Sequence, residues 1–339
     1  MVYLMTVGRW LLPDRGVPGS EETEHVGRYV AELVVPEESD AIGLRREQIV
    51  PDSIDDAVVL EMTTHTWQVY DLLLPLVHSV TVVHPPQVAL IVRARVMTDR
   101  KAALILAQLH AAHLLPAVWI PPQPVRDLRT LIAQRQKMVR LTTTARNRLH
   151  AVLHRHHLLP PLGQGELFSP ELRSWWQDLP LSEIEAIQVK CDLDTLAFAR
   201  AQQERLQAAL NRLAARDERV PLLVQLPGIG VTSAMTILAA IGEIGRFPEA
   251  KHLVGYAGLG SSVHDSGQKH TTGKLTKHGR RDLRTVMVEA AHHAARHQAH
   301  WREQHRRLAA RIGSQKAYVA VARKLLVAVW HVLSRRCVD

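Results

Sequence analysis

The chain has 339 residues, of which 46% are hydrophobic and 22% are charged, a balance typical of a protein with a folded core. Its formal net charge of +9 favours an anionic partner, most simply DNA or RNA. Aromatic residues make up only 4% of the chain, which argues against a binding surface built mainly on base stacking. The length allows two domains, each with a core of its own.

A membrane surface would also attract a basic protein, but the sequence shows no uninterrupted apolar run of about 18 residues and no signal peptide. The two cysteines, Cys191 and Cys337, lie far apart and lack the CxxC spacing of a zinc site. We therefore expect a protein of the reducing cytoplasm, associated with the nucleoid and not with a membrane. The histidine clusters at 154–157 and 292–293 lack partner ligands at metal-site spacing, so we interpret them as positions near a polyanion.

Residues 1–124 predict an α/β domain. Three N-terminal segments are apolar or alternating, as strands are: Met1–Leu12, Tyr29–Val35 and Ile42–Val50. A clearer β-α-β unit follows, with strands at Ala57–Leu60 and Val80–Val83 around a helix at Trp67–Val77. Short apolar strands separated by helices indicate a parallel or mixed sheet covered by helices. An RNase-H-like (RuvC-like) domain with an atypical N-terminal part fits this order.

Residues 125–217 predict long helices. Arg126–His157 keeps apolar residues at helical spacing, and its part up to Arg148 carries seven cations against the single acid Asp127: Arg126, Arg129, Arg135, Lys137, Arg140, Arg146 and Arg148. A charge run on a helix is usually a solvated face, but this excess favours nucleic-acid contact, with Arg146 and Arg148 as candidates. Ser182–Arg216 predicts an amphipathic helix that would form a two-helix coiled-coil stalk or a dimer contact.

Residues 218–339 predict a mainly helical C-terminal domain that opens with the turn LPGIG. Gly228 and Gly230 free the backbone to turn tightly and leave its N–H groups open to an anion. A helix that begins at about Val231 would direct its positive end to the same place. This arrangement predicts a helix-hairpin-helix, which grips a nucleic-acid backbone without reading bases. A helix C-cap followed by a new helix explains the turn equally well.

A segment rich in serine and cations follows Gly260, and we expect it to be a loop. Between Ser266 and Arg284 only one acid, Asp282, accompanies six cations: Lys269, Lys274, Lys277, Arg280, Arg281 and Arg284. Several of them lie near the start of the next helix, where the helix dipole disfavours positive charge, so a polyanion explains them better than folding does. Ser266 is otherwise an ordinary loop hydroxyl, but among cations it is a candidate nucleophile on phosphorus, because they stabilise the alkoxide and the transition state.

The run from LPGIG through EIGRFPEAKHLVGYAGLG to SGQKHTTGKLTKHGRRDLR resembles the C-terminal Tnp domain of a bacterial insertion-sequence transposase family. That family joins a RuvC-like domain with a DEDD set of acids to a serine-bearing domain, and it includes the Piv-type invertases and the bridge-RNA-guided recombinases. The resemblance covers the chain from about Val58 to its C-terminus. It implies site-specific DNA recombination with Ser266 as nucleophile, a structured guide RNA, and a homo-oligomer, either a dimer or a tetramer, assembled on DNA.

Glu61 and Asp99 are the candidate acids of the first domain. Glu61 ends a strand at the sheet's carboxyl edge, and Asp99 precedes an apolar helix, where it would otherwise be an N-cap. The resemblance implies that both ligate Mg²⁺ together with two further carboxylates. The family pattern is Thr-Asp-x-x-Asp-Ala, whereas this chain has Ala102 at the second Asp position and no clear match for the first acid. Two carboxylates would hold Mg²⁺ weakly, because Mg²⁺ demands an ordered octahedron of oxygen ligands.

Two functions from different classes remain open at this point. The first is a transposase that cuts and rejoins DNA through Ser266 and the Mg²⁺-binding acids. The second is a catalytically inactive DNA- or RNA-binding remnant of such an enzyme, which Ala102 and the unmatched first 57 residues favour. A basic scaffold protein ranks third, because it explains the long helix at Ser182–Arg216 but not the chemistry around Ser266.

Overall fold

The computed structural model describes residues 2–4, 31–33, 57–92, 99–161, 166–266, 269–275 and 278–335. The chain divides into two compact units, Met1–Ile120 and Pro121–Asp339. The first unit contains a small sheet with helices, and the second is almost entirely helical. The predicted strand at Ile42–Val50 lies outside the described residues.

The first unit is built on a mixed four-stranded sheet. Its elements are β1 (Val2–Leu4), β2 (Ala31–Leu33), β3 (Ala57–Glu61), α1 (Thr66–Leu73), β4 (Ser79–Val83), α2 (Pro85–Ile91) and α3 (Asp99–Ala111). The strand order is β2-β1-β3-β4, in which β3 and β4 are parallel and β1 is antiparallel to both of its neighbours. The predicted β-α-β unit is thus confirmed in a mixed sheet.

Strand β3 is apolar up to its last residue, Glu61, because both of its faces are covered. Val59 packs with residues of β4, α2 and α3, whereas Val58 and Leu60 pack with Leu73 of α1 and its surroundings. Alternate side chains of a strand point to opposite faces, so a strand between two layers of helices loses the usual alternation of polar and apolar residues. This burial fixes Glu61, the next residue, at the carboxyl end of the strand.

The second unit consists of helices and one β-hairpin. Its elements are α4 (Gln123–Arg155), α5 (Arg173–Gln177), α6 (Glu183–Ala214), α7 (Arg219–Leu223), α8 (Val231–Ile241), α9 (Ala250–Tyr256), β5 (Ser261–Ser266), β6 (Lys269–Leu275), α10 (Arg281–His297), α11 (Ala299–Ile312) and α12 (Ser314–Arg335). Short 3-10 turns lie at Pro170–Leu172 and Ile244–Arg246. The start of α8 at Val231 confirms the sequence-based prediction.

Helices α4 and α6 pack against each other along their lengths in an antiparallel pair. The direction follows from three cross-helix contacts: Arg135 Nε donates to Gln207 Oε1 (2.7 Å), Arg148 reaches Asp192 Oδ1 (3.4 Å), and His156 Nε2 lies 2.8 Å from Glu185 Oε1. Residue numbers rise on one helix as they fall on the other. The pair is therefore formed within one chain; whether it supercoils as a coiled coil remains a prediction.

The predicted apolar face of α6 divides between core and surface. Val189, Leu196 and Leu210 are buried, whereas Ile184 and Ile187 are exposed. The buried residues recur at helical spacing toward α4, and the exposed pair lies near the start of the helix. Burial against α4 thus accounts for part of the apolar pattern and leaves a smaller apolar patch at the surface.

The core of the second unit lies where α8, α10 and α12 meet. Nearly all of α8 is buried, and α12 contributes Val321, Leu325 and Val329, which are fully buried. By length and composition alone, α12 is the one helix among the described residues that could cross a membrane. Its packing against α9, α10 and α11 gives it the role of a core helix in this unit.

Candidate nucleic-acid interface

The turn before α8 uses its first glycine for packing. Gly228 has φ = +77°, and a Cβ on this residue would lie 2.4 Å from the carbonyl oxygen of Ala290 on α10. Only glycine fits both the left-handed conformation and the close approach of the two backbones. The requirement for Gly228 is therefore structural, a reason that the LPGIG pattern alone did not reveal.

The second glycine of the turn leaves an open helix end. Gly230 is the N-cap of α8 with φ = −90°, no side chain caps this end, and a Cβ here would meet nothing within 4 Å. The following residue, Val231, is exposed. The start of α8 is thus uncapped and uncovered, which is compatible with the predicted contact between its first N–H groups and an anion; that contact remains a prediction. The short α7 precedes this turn, but assignment as a helix-hairpin-helix remains a prediction.

Ser266 lies on a strand, which corrects the expected loop. It is the last residue of β5, and its Cα is paired with that of Lys269, the first residue of β6. The hairpin pairs Ser261 with Leu275 at its base, with an irregularity in register between Ser261 and Val263. The pairing of Lys269 opposite Ser266 places one predicted cation beside the predicted nucleophile along the backbone. Lys274 also lies on β6, whereas Lys277 lies outside the described residues.

The remaining predicted cations lie at the start of α10. Arg280 is its N-cap and Arg281 its first residue, which is exposed. Arg280 forms a two-point ion pair with Asp282, with 3.0 Å between Nε and Oδ1, and Arg284 donates to the carbonyl of Ala257 (2.9 Å). Arg280 and Arg284 thus have local partners, and Arg281 is the cation of this group that faces solvent.

The structure adds two arginines that lie outside the predicted set of cations between Ser266 and Arg284. Arg129 of α4 donates to the carbonyls of Ala239 (2.7 Å) and Ala240 (3.1 Å) at the C-terminal end of α8. Tyr256 also donates to Ala240, and the guanidinium of Arg246 lies 4.5 Å from the centre of the Tyr256 ring. Burial lowers the pKa of Arg129, and the neighbouring Arg280 and Arg246 lower it further. These cations form a positively charged cluster that the end of a helix dipole stabilises.

The predicted binding elements therefore lie at two ends of α8. Gly230 begins the helix, whereas Arg280 lies near Arg129 at its other end. The backbone N–H of Arg280 donates to the carbonyl oxygen of Tyr256 (2.8 Å), and the Tyr256 hydroxyl in turn donates to Ala240 near the end of α8. Eleven residues of helix separate the ends by about 16 Å. A single bound phosphate cannot contact both places, so contact with both requires an extended polyanion.

Arg146 and Arg148 of α4, the two candidates from the basic helix, both have acidic partners. Arg146 lies 2.6 Å from Glu166, and Arg148 lies 3.4 Å from the buried Asp192. Much of the predicted basic face thus serves the packing of α4 in its own unit. Lys137 and Arg140 remain exposed on that helix.

The candidate acids both lie in the first unit. Glu61 is the final residue of β3 and pairs with Val83, and α3 begins at Asp99. His84, which no sequence motif singled out, follows β4 at the same carboxyl edge as Glu61. Ala102, in the first turn of α3, packs against the core that contains Val59.

The described residues do not supply the oxygen ligands that Mg²⁺ requires. Among them, no group of three or more histidine, cysteine, aspartate or glutamate side chains converges closely enough to hold a metal ion. Ala102 provides no carboxylate where the family pattern has one. Since Mg²⁺ needs an ordered octahedral set of ligands, no reaction step can be assigned to a metal from these residues.

Two separate regions of the chain match families of transposase domains. Residues 220–306 match the family described as "Transposase IS116/IS110/IS902 family", and residues 49–158 match the family DEDD_Tnp_IS110, described as "Transposase". The DEDD match is consistent with a RuvC-like fold for the first unit. The two matched ranges contain Glu61 and Asp99 in one and Ser266 in the other.

Curated relatives agree with these matches. The chain is 28% identical to the provisionally named transposase y4qE of Sinorhizobium fredii, over 78% of this chain and 64% of that protein. It is 24% identical to the transposase for insertion sequence element IS1111A of Coxiella burnetii, over 70% and 67%. It is 27% identical to the pilin gene-inverting protein of Moraxella bovis, over 63% and 59%. The chain thus spans about two thirds or less of each relative's length, and it carries the transposase domains of the IS110/IS116/IS902 family.

Proposed function

We propose that this protein is an insertion-sequence transposase or site-specific recombinase that cuts and rejoins DNA through a covalent link to Ser266. The observation that carries the proposal is the position of Ser266 at the end of β5, paired with Lys269 across a hairpin in a transposase domain. A hydroxyl beside a cation suits attack on phosphorus, because positive charge stabilises the nucleophile and the developing oxyanion.

The proposed chemistry is a pair of transesterifications. The Ser266 oxygen forms a bond to a backbone phosphorus and loses its proton to a base, while the bond from phosphorus to one deoxyribose oxygen breaks and that oxygen takes up a proton. A deoxyribose hydroxyl of a second strand then reverses the step and releases the serine. Each step exchanges one phosphate ester for another, so the DNA is rejoined without an external energy source.

We assign the positioning of the DNA to residues other than the nucleophile Ser266. We expect the open start of α8 at Gly230, the exposed Arg281, and Lys269 and Lys274 of the hairpin strand β6 to contact backbone phosphates, with Lys277 as a further candidate. We infer that Arg280, already paired with Asp282, orients this surface more than it binds DNA. Glu61 and Asp99 are the acids that we propose for the chemistry at the scissile phosphate, although with Ala102 in place of the family's aspartate these two carboxylates would hold Mg²⁺ only weakly.

The experiment is a search for the covalent intermediate. Purified protein is mixed with labelled DNA that carries an element end, in the presence of Mg²⁺ and candidate RNA, and protein–DNA adducts are separated under denaturing conditions. We expect an adduct with the unaltered protein and none with Ser266→Ala. Ser261→Ala, at the exposed base of the same strand, is the matched control and should retain it. Equal adduct from both variants would remove Ser266 from the mechanism.

A second function, that of an inactive nucleic-acid-binding remnant, is favoured by one specific observation. Ala102 packs against the core of the first unit where the family pattern has an aspartate. On this proposal the unaltered protein binds DNA or RNA but does not cut it. Ala102→Asp, combined with an Asp on the first strand, should raise Mg²⁺ affinity in calorimetry. DNA cleavage by the unaltered protein would eliminate this alternative.

A guide RNA and an oligomer are further parts of the first proposal. We propose that a structured RNA selects the DNA sites and that a dimer or tetramer of this chain assembles on DNA in the cytoplasm, at the nucleoid. Mass photometry of the protein with and without DNA and RNA tests the assembly. Sequencing of nucleic acid that copurifies with the protein tests the RNA.

A further inference from the structure

A polar groove interrupts the packing of α4 against α6. At one end of the helical pair Leu149 and Leu196 share a core, and at the other end Ile132 and Leu210 share another. Between these cores lies a cavity of about 760 Å³ with mostly polar lining, which includes three arginines and two acids: Arg135, Arg146, Arg200, Glu166 and Glu204. Two long helices that only packed together would continue their apolar contacts here, so the polar lining needs another explanation.

Two arginines from different helices converge on one carboxylate in this groove. Glu166 Oε1 accepts hydrogen bonds from Arg146 (2.6 Å) and from Arg200 (2.7 Å). The Glu166 side chain is 57% exposed, whereas those of Arg146 and Arg200 are 39% and 29% exposed. The cations are thus built into the helical pair, and the anion reaches them from the solvent side. We call Arg146 and Arg200 the arginine clamp.

The groove also holds buried donors that lack partners. Within the described residues, the Arg146 Nε and the Thr142 hydroxyl are buried and have no hydrogen-bond partner. A buried donor without an acceptor is costly, so both groups would be stabilised by an acceptor oxygen, either of an ordered water or of a ligand in the groove. Phosphate has such oxygens, and two forked guanidinium groups match its geometry.

The positive charges of the groove lie far apart, which favours a nucleic-acid strand over a single phosphate ion as its ligand. Arg135 lies in the same groove, bonded to Gln207, and burial lowers its pKa. Eleven residues of α4 separate it from Arg146, or about 16 Å along the helix. One phosphate cannot contact both arginines, whereas the backbone of a nucleic-acid strand carries charges at repeated intervals. Arg200 is itself recessed, which favours one strand over the two backbones of a duplex.

We propose that the groove between α4 and α6 binds the backbone of a single nucleic-acid strand, and that Glu166 occupies the arginine clamp until a phosphate displaces it. The inference rests on the proposed action on nucleic acid and extends it to a second site in the same unit. Glu166 competes with a backbone phosphate for the arginine clamp. A strand that does not also fill the rest of the groove therefore binds less tightly.

Fluorescence anisotropy with single-stranded oligonucleotides tests the proposal on the full chain. Glu166→Gln keeps the size of the side chain but removes the competing charge, so it should tighten binding by about two- to fivefold, the range expected for a partly exposed ion pair. The slope of log affinity against log salt concentration should become steeper by about 0.7 for each additional phosphate that the groove neutralises. One arm uses DNA and the other RNA of the same sequence, and the arm with the larger increase in affinity identifies the sugar.

Asp194→Asn is the matched control for charge. Asp194 lies on α6, the helix that carries Arg200; it pairs with Arg173 and is partly exposed like Glu166, but it does not line the groove. It should change affinity less than Glu166→Gln does. In the Arg200→Gln background, the effect of Glu166→Gln should disappear, because the clamp is then incomplete. Thermal unfolding of each variant shows whether the helical pair remains intact.

Equal increases in affinity from Glu166→Gln and Asp194→Asn would mean that only net charge matters and would overturn the proposal. An increase that persists without Arg200, in variants with unchanged unfolding temperature, would do the same. Binding requires no nucleophile, so Ser266→Ala should show the same Glu166 effect. If the covalent adduct is never found but this effect is, the clamp stands and the proposed recombination chemistry fails.

Discussion

Gly228 and Gly230 belong to one motif, but the structure favours glycine at the two positions for different physical reasons. The sequence predicted both as openings for a phosphate, on the general ground that glycine exposes backbone N–H groups. In the structure Gly228 is held in a left-handed conformation against the backbone of Ala290, whereas Gly230 borders open space. The difference depends on α10, which lies about sixty residues further along the chain, so local sequence could not distinguish them.

Substitution by alanine should separate the two glycines. Gly228→Ala introduces a Cβ that would lie 2.4 Å from a backbone oxygen, at a residue with φ = +77°. We expect it to lower the free energy of unfolding by about 2–4 kcal/mol, from backbone strain and displacement of α10. Gly230→Ala should cost less than about 1 kcal/mol, because alanine is only a poorer N-cap. Urea unfolding measures both values.

For the affinity of the folded protein for nucleic acid we expect the opposite ranking, in which Gly230→Ala has the larger effect and Gly228→Ala the smaller one. Gly230→Ala places a methyl group where the open N-terminus of α8 would meet a phosphate, so it should weaken DNA binding while the fold persists. If Gly230→Ala binds DNA as tightly as the unaltered protein, the start of α8 is not a contact. If Gly228→Ala unfolds at the same urea concentration as the unaltered protein, the close approach to Ala290 is wrong.

Asp217 and Arg219 form an ion pair in the segment between α6 and α8, and we expect this pair to make the stability of the fold depend on pH. Asp217 accepts hydrogen bonds from the Arg219 side chain (2.9 and 2.7 Å), and Arg219 also donates to the carbonyl of Gly242 after α8 (3.1 Å). The hydrogen bonds from Arg219 hold the pKa of Asp217 below its ordinary value. The stabilisation is therefore complete above the ordinary aspartate pKa and is lost as the pH falls through the lowered one.

Asp217→Asn should accordingly lower the free energy of unfolding at neutral pH but not in strong acid. We expect the variant to lose about 1 kcal/mol of unfolding free energy at neutral pH, the usual value of a partly exposed charge-assisted hydrogen bond. The difference from the unaltered protein should shrink as the pH falls below the carboxylate range. Glu218→Gln is the control on the neighbouring residue. A difference that stays constant with pH would show that the Asp217 charge is not responsible.

At the scale of elements, helices were easier to predict than the β-hairpin. The α8 start at Val231 and the long α4 and α6 followed from apolar spacing and turn residues. The segment around Ser266 suggested a loop because serine, glycine and lysine are not typical of strands. Its strands pair with each other at Ser261–Ser266 and Lys269–Leu275, and this pairing depends on register more than on apolar content.

The hairpin should be the least protected element of the second unit. A two-stranded hairpin is marginally stable by itself in water, whereas α8 and α12 are packed in the core. We expect backbone amides of β5 and β6 to exchange with deuterium faster than those of α8 and α12. Added DNA should slow exchange in the hairpin, because contact with a backbone would order it.

Hydrogen exchange with mass spectrometry makes both comparisons in one experiment. The exposed helix α11 serves as the internal control, since no proposed contact lies on it, and DNA should not change its exchange. Protection of β5 and β6 that is already as high as that of α8, without DNA, would contradict the marginal stability of the hairpin. Protection that appears on α11 instead would place the DNA on another surface.

At the scale of the whole molecule, the sequence predicted that the candidate acids and the candidate nucleophile lie in different units. Glu61 and Asp99 belong to the sheet-containing unit, and Ser266 belongs to the helical one. The sequence could not predict that Arg146 is engaged by Glu166 or that Arg129 reaches Ala239, because these partners are brought together only by the packing of distant helices. Charge counts therefore overstated the number of cations that have no partner within the chain.

The two units should be separable in function. The cores of the second unit are built from residues after 121, and those of the first from residues 58–120, so a fragment of residues 121–339 has its own apolar core. We expect this fragment to unfold cooperatively and to bind DNA with strong salt dependence, because it retains Gly230, Arg281 and the hairpin. It should form no covalent adduct, since the proposed chemistry also uses Glu61 and Asp99.

Full-length Glu61→Gln is the matched control, because it removes one charge and leaves both units in place. It should bind DNA like the unaltered protein and lose the adduct, as the fragment does. Circular dichroism, anisotropy and the adduct assay on the same preparations distinguish loss of fold, loss of binding and loss of chemistry. An adduct formed by the fragment would show that Ser266 reacts without the carboxylates of the first unit, and the assignment of Glu61 and Asp99 to catalysis would then have to be abandoned.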